Sequence, residues 1–200
     1  MATESFNNRL SYMALADMDY ISARALIFSG LFLRGNAVFA DAMEKQLKLF
    51  LILITYLEDK KELSLKEIRS YAHNLNLLFN EIKKRALKHG INFSEELDKL
   101  FSVLEGERER LYPEKWEKHT IDIDISKYDS AYKYFRNLNI SNLPFEEIER
   151  GRQIGGFLFD SYTPEFLERL YGFTPGKAFK YKNDSLNDFD IDIKHLNKLE

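Results

Sequence analysis

The side chains best placed for chemistry are one carboxylate, one imidazole and several cations spread over three helical segments. Glu44 stands in the row Ala37, Ala40, Glu44, Leu47, Leu51, whose members follow one another at about one helical turn. A carboxylate buried in such a row is costly unless donors meet it. Lys48, one turn on, can answer it, as a pair of little value if exposed. Arg108 is a second anomaly, because it fills an apolar position of the row Leu97, Phe101, Leu104, Arg108, Leu111. Turned inward, its guanidinium can fork onto Glu44 as a structural bridge; turned to the bundle's edge, it presents a cation to a phosphate.

Arg69 and His73 are four positions apart, a spacing that places them on one helix face. An imidazole beside a guanidinium can act as general base next to a phosphate-stabilising cation, with no metal required. The plainer alternative is an exposed, inert histidine. The densest basic run, Lys83, Lys84, Arg85, Lys88 and His89, can contact RNA or complement the dipole of a helix C-terminus.

Two segments echo one another: Ile121-Asp122-Ile123-Asp124-Ile125 and Phe189-Asp190-Ile191-Asp192-Ile193. Their strict alternation predicts half-buried strands. It also puts Asp122 with Asp124, and Asp190 with Asp192, on one face, as a divalent-cation site or as a solvated edge. No glycine-serine loop precedes either pair, so a nucleotidyltransferase reading lacks its other half. Gly172-Phe173-Thr174-Pro175-Gly176-Lys177 has the wrong spacing for a phosphate loop and no Ser or Thr after its lysine. The histidines at 73, 89, 119 and 195 lack zinc-ligand spacing. No cofactor is implied. Trp116, with Tyr112 and Tyr128 nearby in sequence, can stack on a base or close the core.

These residues need elements to hold them, and the periodicity supplies helices. A first helix is predicted from Ser5 to Leu33, followed by a turn at Arg34-Gly35-Asn36. A second runs from Asn36 to Glu58 on the stripe Phe39, Met43, Leu47, Phe50, Ile54, Leu57. Ser64-Leu65-Lys66-Glu67 is a capping box that starts a third, with Ile68, Ala72, Leu75, Phe79, Ile82 and Ala86 inward and Gly90 as its left-handed end. Ser94 caps a fourth, closed by Pro113. A fifth spans Lys127 to Leu138. Short helices are expected at Phe145 to Gln153 and Pro164 to Tyr171. The fold class is therefore all-α: an antiparallel bundle of about five helices in residues 1–139, with a less regular extension, 140–200, that packs on the bundle or on a second subunit.

Composition fits that class. The 200 residues are 44% hydrophobic and 30% charged, as in an ordinary globular chain. The net charge of −3 comes wholly from the extension, so no global basic field attracts nucleic acid. Its absence leaves only local RNA contacts. No apolar run is long enough to span a bilayer, and Met1 to Asn8 lacks the features of a signal peptide. With no cysteine, disulfides and thiolate metal sites are excluded, and a cytoplasmic location is the expectation.

The chain resembles the HEPN family, the helical domains named for higher eukaryotes and prokaryotes nucleotide-binding. In that family one helix carries a small residue, an aromatic and then a small-x-Glu-Lys-x-x-x-Lys-like run. Ala37, Phe39, Ala42, Glu44, Lys45 and Lys48 match it here. His73-Asn74-Leu75 resembles the His-Asp-Leu-like element of the next helix, and Leu111-Tyr112-Pro113 stands where an Arg-Tyr-Pro-like element ends a later one. The resemblance covers about residues 8–138.

It implies a dimer that binds RNA, a nucleotide or a partner protein such as a nucleotidyltransferase, in a prokaryotic defence or toxin–antitoxin setting. Arg108, Arg110 and Tyr112 would then touch the ligand, with Glu44 and Lys48 as structural anchors. The alternatives are a metal-independent endoribonuclease using Arg69, His73, Arg108 or Arg110, and a purely structural interaction module. The family's nucleases place four to six residues between arginine and histidine on a late helix. Here Arg69 and His73 have three between them, and Arg110 and His119 have eight.

Overall fold

The computed structural model describes residues 2–109 and 124–144, with the side chains of 2–8 and 10 left aside. Six helices make up an all-α bundle: α1 Ala2–Phe28, α2 Phe32–Asp59, α3 Leu65–Arg69, α4 Leu75–Leu87, α5 Glu95–Glu109 and α6 Ile125–Asn142. There is no strand among the described residues. None of these helices is long and apolar enough to cross a membrane.

The first correction concerns the turn between α1 and α2. It forms at Ser29–Leu31, not at Arg34-Gly35-Asn36. Gly30, at φ +80°, ends α1: its N–H reaches Ile27 O at 3.0 Å, and Leu31 N–H reaches Leu26 O at 2.9 Å. This is the paired hydrogen bonding of a left-handed helix end, which glycine adopts without strain. Gly35 instead lies inside α2, where the two helices pack closely. A Cβ there would sit 2.5 Å from Ile27 Cγ1 and 3.1 Å from the Ala23 carbonyl oxygen.

α2 is the axial element and contacts α1, α4, α5 and α6. Its stripe Phe39, Met43, Leu47, Phe50 and Ile54 is buried, whereas Leu57 is exposed. Leu49 and Leu53 on its other side meet Met13 and Leu143 in a second, smaller cluster. Phe79 joins α4 to α5 and α6 through Phe101 and Phe135. Tyr128, Ala131, Tyr132 and Phe135 of α6 are all buried, along the face its periodicity predicts. α6 extends to Asn142, beyond the boundary set at residue 139.

A second correction divides the third predicted helix. The Ser64–Glu67 capping box is present, and its bonds to Ser64, then the Lys61 ammonium, hold the Glu67 carboxyl at about 2. Gly90 ends α4 at φ +72°, in the left-handed conformation expected of it. Between them, however, the chain leaves the helix at Ser70–Asn74. Ala72 adopts φ +47°, and Asn74 caps α4 by accepting from Leu77 N at 2.7 Å.

A third correction concerns the first alternating segment. Asp124 is the N-cap of α6, accepting from Ser126 N, and Ile125 is helical, so a strand does not extend through them. Asp122, the Asp190 and Asp192 pair, and the helices expected at 145–153 and 164–171 lie outside the described residues.

One polar layer ties α1 to α6 within this apolar frame. Asp17 accepts from Arg136 Nε at 2.9 Å and from the Tyr132 hydroxyl, while Arg24 and Tyr20 both donate to Asp129. The Tyr20 and Tyr132 rings stack at 3.9 Å between these pairs. Gln46 of α2 donates to Tyr132 Oη at 3.0 Å and accepts from Asn139 Nδ2 at 2.7 Å. Burial raises the Asp129 carboxyl despite Arg24 and Tyr20; burial, then Asp17, raises the Tyr132 hydroxyl.

The α1–α2 contact makes a direct prediction. Alanine ordinarily favours a helix over glycine by about 1 kcal/mol. Gly35→Ala will nevertheless destabilise the protein, by about 1–3 kcal/mol, because the added methyl meets backbone as well as Ile27. Urea denaturation measures this, and a stabilised variant would refute the close approach.

Candidate functional site

The site is built around the Glu44 carboxylate. α2 carries it on the face turned toward the Ser70–Asn74 turn and α5, and only 8% of the side chain is exposed. Lys48 Nζ, one turn along, donates to Glu44 Oε1 at 2.6 Å. Arg108 Nη2, from the last turn of α5, donates to Oε2 at 2.9 Å. His73 Nδ1 lies 3.0 Å from the same oxygen. Three side chains from three elements thus converge on one anion.

The protonation state follows from these partners. Burial alone would raise the Glu44 carboxyl, but Lys48, then His73 and Arg108, outweigh it and hold it below its usual value of 4.5. An ionised carboxylate can only accept, so His73 Nδ1 is the donor. In the neutral ring, Nε2 then carries the lone pair. The His73 side chain is 80% exposed, so the ring stands over the cluster with most of its surface in solvent.

The same cations also hold backbone. Lys48 Nζ donates to Ala72 O at 3.1 Å and Arg108 Nη1 to His73 O at 2.6 Å. Glu105, one turn before Arg108, accepts from Leu75 N at 2.8 Å. Asp41, one turn before Glu44, takes a further bond from Arg108 Nη2. These contacts explain why an unbroken helix from Ser64 to Gly90 does not form. Carbonyls that would have continued it are captured by side chains of α2 and α5.

This break also overturns the shared helix face expected for Arg69 and His73. Arg69 is the last residue of α3, and His73 belongs to the turn. Arg69 is exposed and forms no ion pair among the described residues. It remains close to the cluster electrostatically. The Tyr12 hydroxyl of α1, raised first by burial, feels Arg69 lowering it and Glu44 raising it.

Of the two orientations open to Arg108, the structure has the guanidinium on Glu44. Arg110, Tyr112, Trp116 and His119 lie outside the described residues. The basic run on α4 is answered by carboxylates: Arg85 meets Glu58 at 2.8 Å, Lys88 meets Glu58 at 3.3 Å, and Lys83 meets Asp98. Burial would raise Glu58, but Lys88 and Arg85 prevail and lower it.

Sequence reasoning missed Asp41, Glu105 and Tyr12. The first two stand three residues before Glu44 and Arg108, a helical spacing that could have marked them. Tyr12 comes from a distant helix and carried no such signal.

No cluster of His, Cys, Asp and Glu suited to a metal occurs among the described residues. An open cleft of ≈ 420 Å³ between α5 and α6, with Leu97, Lys127 and Tyr134 in its lining, contains none of the Glu44 cluster. No family model, curated protein or solved structure matches the chain.

Two predictions test the cluster. Glu44→Ala leaves buried Lys48 and part-buried Arg108 without their shared partner, with only Arg108 keeping a carboxylate in Asp41, and will cost about 3 kcal/mol. His73→Ala removes an exposed ring and will cost less than about 1 kcal/mol. Equal melting temperatures would show that Glu44 is not the anchor.

The second concerns pH. Because folding lowers the Glu44 pKa, its contribution is complete above 4.5 and is lost as pH falls through the lower folded value. Denaturation followed over this range will therefore show a shallower acid loss in Glu44→Gln than in the parent chain.

Proposed function

We propose that the chain is a HEPN-like binding and regulatory protein whose ligand carries phosphate, as RNA or a nucleotide does. The observation behind this reading is the mounting of His73. A histidine with only a structural role gains by burying its ring. This one is 80% exposed while its Nδ1 is tied to a buried, ionised carboxylate. The ring is thereby oriented without being covered, as recognition of a ligand requires.

Arg69 supports the same reading. It ends α3 four residues before the turn's imidazole and presents an exposed guanidinium. Arginine forks onto phosphate oxygens in a geometry that lysine cannot match. The family resemblance adds a homodimer, acting with a partner such as a nucleotidyltransferase in a defence or toxin–antitoxin setting, and the cysteine-free composition adds a cytoplasmic location.

A specific feature favours metal-independent RNA cleavage as the second reading. A carboxylate on Nδ1 leaves Nε2 of the neutral ring as the proton acceptor, the arrangement of a general base supported by an acid residue. With Arg69 as the cation, such a site would withdraw the proton of a ribose 2′-hydroxyl and stabilise charge on the phosphate.

Titration of the full chain with a labelled single-stranded RNA and with ATP, in EDTA, separates the readings. Binding should weaken about tenfold, a change of about 1.4 kcal/mol, in both Arg69→Ala and His73→Ala. Failure of the parent chain to bind either probe would overturn the binding reading. Cleavage of the RNA in EDTA, abolished in His73→Ala, would establish the second.

A further inference from the structure

Lys48 and Arg108 are the two cations at the centre of the cluster, yet only 10% and 14% of their side chains are exposed. The Ser70–Asn74 turn lies against both. Lys48 holds the carbonyl of Ala72, and Arg108 holds that of His73. Beneath the turn, the oxygens of Glu44 divide between the two cations, Oε1 on Lys48 and Oε2 on Arg108. A bound anion would be held in the same way, except that this one belongs to the chain.

We propose that Lys48 and Arg108 form a latent site for the phosphates of an oligophosphate ligand, with Glu44 as its built-in occupant and the Ser70–Asn74 turn as its lid. The ligand class rests on the reading under Proposed function; the lid rests on the geometry alone.

Inside the turn, Ala72 N–H reaches Arg69 O at 2.9 Å, Asn74 N–H reaches Tyr71 O at 3.1 Å, and Tyr71 packs on the core. Ala72 and His73 are exposed, and three long side chains from α2 and α5 fasten the backbone at residues 72, 73 and 75. The cations that a phosphate would attract therefore hold the exposed part of the turn, at the carbonyls of Ala72 and His73. Ala72 is also held at φ +47°, a conformation unfavourable for an L-residue and relieved when the turn moves.

Charge decides the competition. Glu44 and Asp41 together present two negative charges to the two cations, whereas an oligophosphate presents more charges and more acceptor oxygens. Its first contact is at exposed Arg69 and His73. To reach Lys48 and Arg108 it must displace the turn, because the cations are otherwise enclosed. Opening separates His73 from Glu44, so occupancy of the inner site resets the imidazole outside it.

Hydrogen exchange of the full chain, read by mass spectrometry with and without inorganic tripolyphosphate, tests this lid. Calorimetry on the same samples measures whether tripolyphosphate binds. Amides 71–75 should exchange at least about tenfold faster when the ligand is saturating. In Glu44→Gln, where the cations lose their built-in anion, tripolyphosphate should bind more tightly and speed exchange at 71–75 at a lower concentration.

Ala72→Gly supplies a readout should Glu44→Gln fail to fold. Relief of strain in the closed turn should slow exchange at 71–75 and raise the tripolyphosphate concentration needed for opening. Binding with unchanged exchange at 71–75 would overturn the lid while leaving the binding reading in place. No tripolyphosphate binding would overturn the latent site, and the RNA and ATP titrations would then decide the broader reading on their own.

Discussion

A single ionised carboxylate, buried against the axial helix, is the constraint from which the site and much of the local fold follow. Removing a carboxylate from water costs several kcal/mol unless strong donors replace the lost hydration. Glu44 finds them in Lys48, Arg108 and His73, one each from α2, α5 and the turn before α4. Its demand for donors brings those three elements to one point. The two cations have hydrogen-bonding capacity left over, and they use it on the carbonyls of Ala72 and His73. The carboxylate thereby shapes a backbone segment that it does not itself touch.

A second buried polar layer does comparable work at α1 and α6. Asp17 and Asp129, on opposite helices, each meet an arginine from the other, and two stacked tyrosines lie between. An apolar seam would tolerate sliding, since dispersion contacts are non-directional. Charged pairs with defined geometry tolerate far less, and so set the rotation and register of α6 against α1. The apolar clusters supply most of the driving force for the bundle. The two polar layers determine which of the compatible arrangements forms.

The two layers differ in their exposure, and the proposed function rests on that difference. The α1–α6 layer is closed and turned inward, whereas the Glu44 layer carries an exposed imidazole at its surface. The exposed end is where a ligand can exchange places with internal contacts. In the proposed latent site, the cations that hold the closed turn are the ones for which an anion would compete.

Much of the architecture was legible from local pattern. The stripe of α2, the Ser64–Glu67 capping box, Gly90 as a helix end and the buried face of α6 all follow from spacing and from capping chemistry, which act within a few residues. The two errors at helix ends have a common cause. Gly30 and Gly35 look alike in sequence, and only the approach of α1 to α2 decides that one turns the chain while the other packs within a helix. Likewise, Ile68 to Ala86 keeps a helical period across residues 70–74. The break depends on Lys48, Glu105 and Arg108, which lie 24 or more residues away in sequence.

The sequence by itself determined that Glu44 and Arg108 were misplaced charges in apolar rows, because periodicity exposes such exceptions. Tertiary structure decided that they meet, that Asp41 joins them, and that His73 sits on a turn apart from the helix ending at Arg69. The physical reason is range. Backbone propensity and side-chain period are properties of neighbouring residues, whereas the partner of a buried charge is whatever donor the packed chain brings within hydrogen-bonding distance.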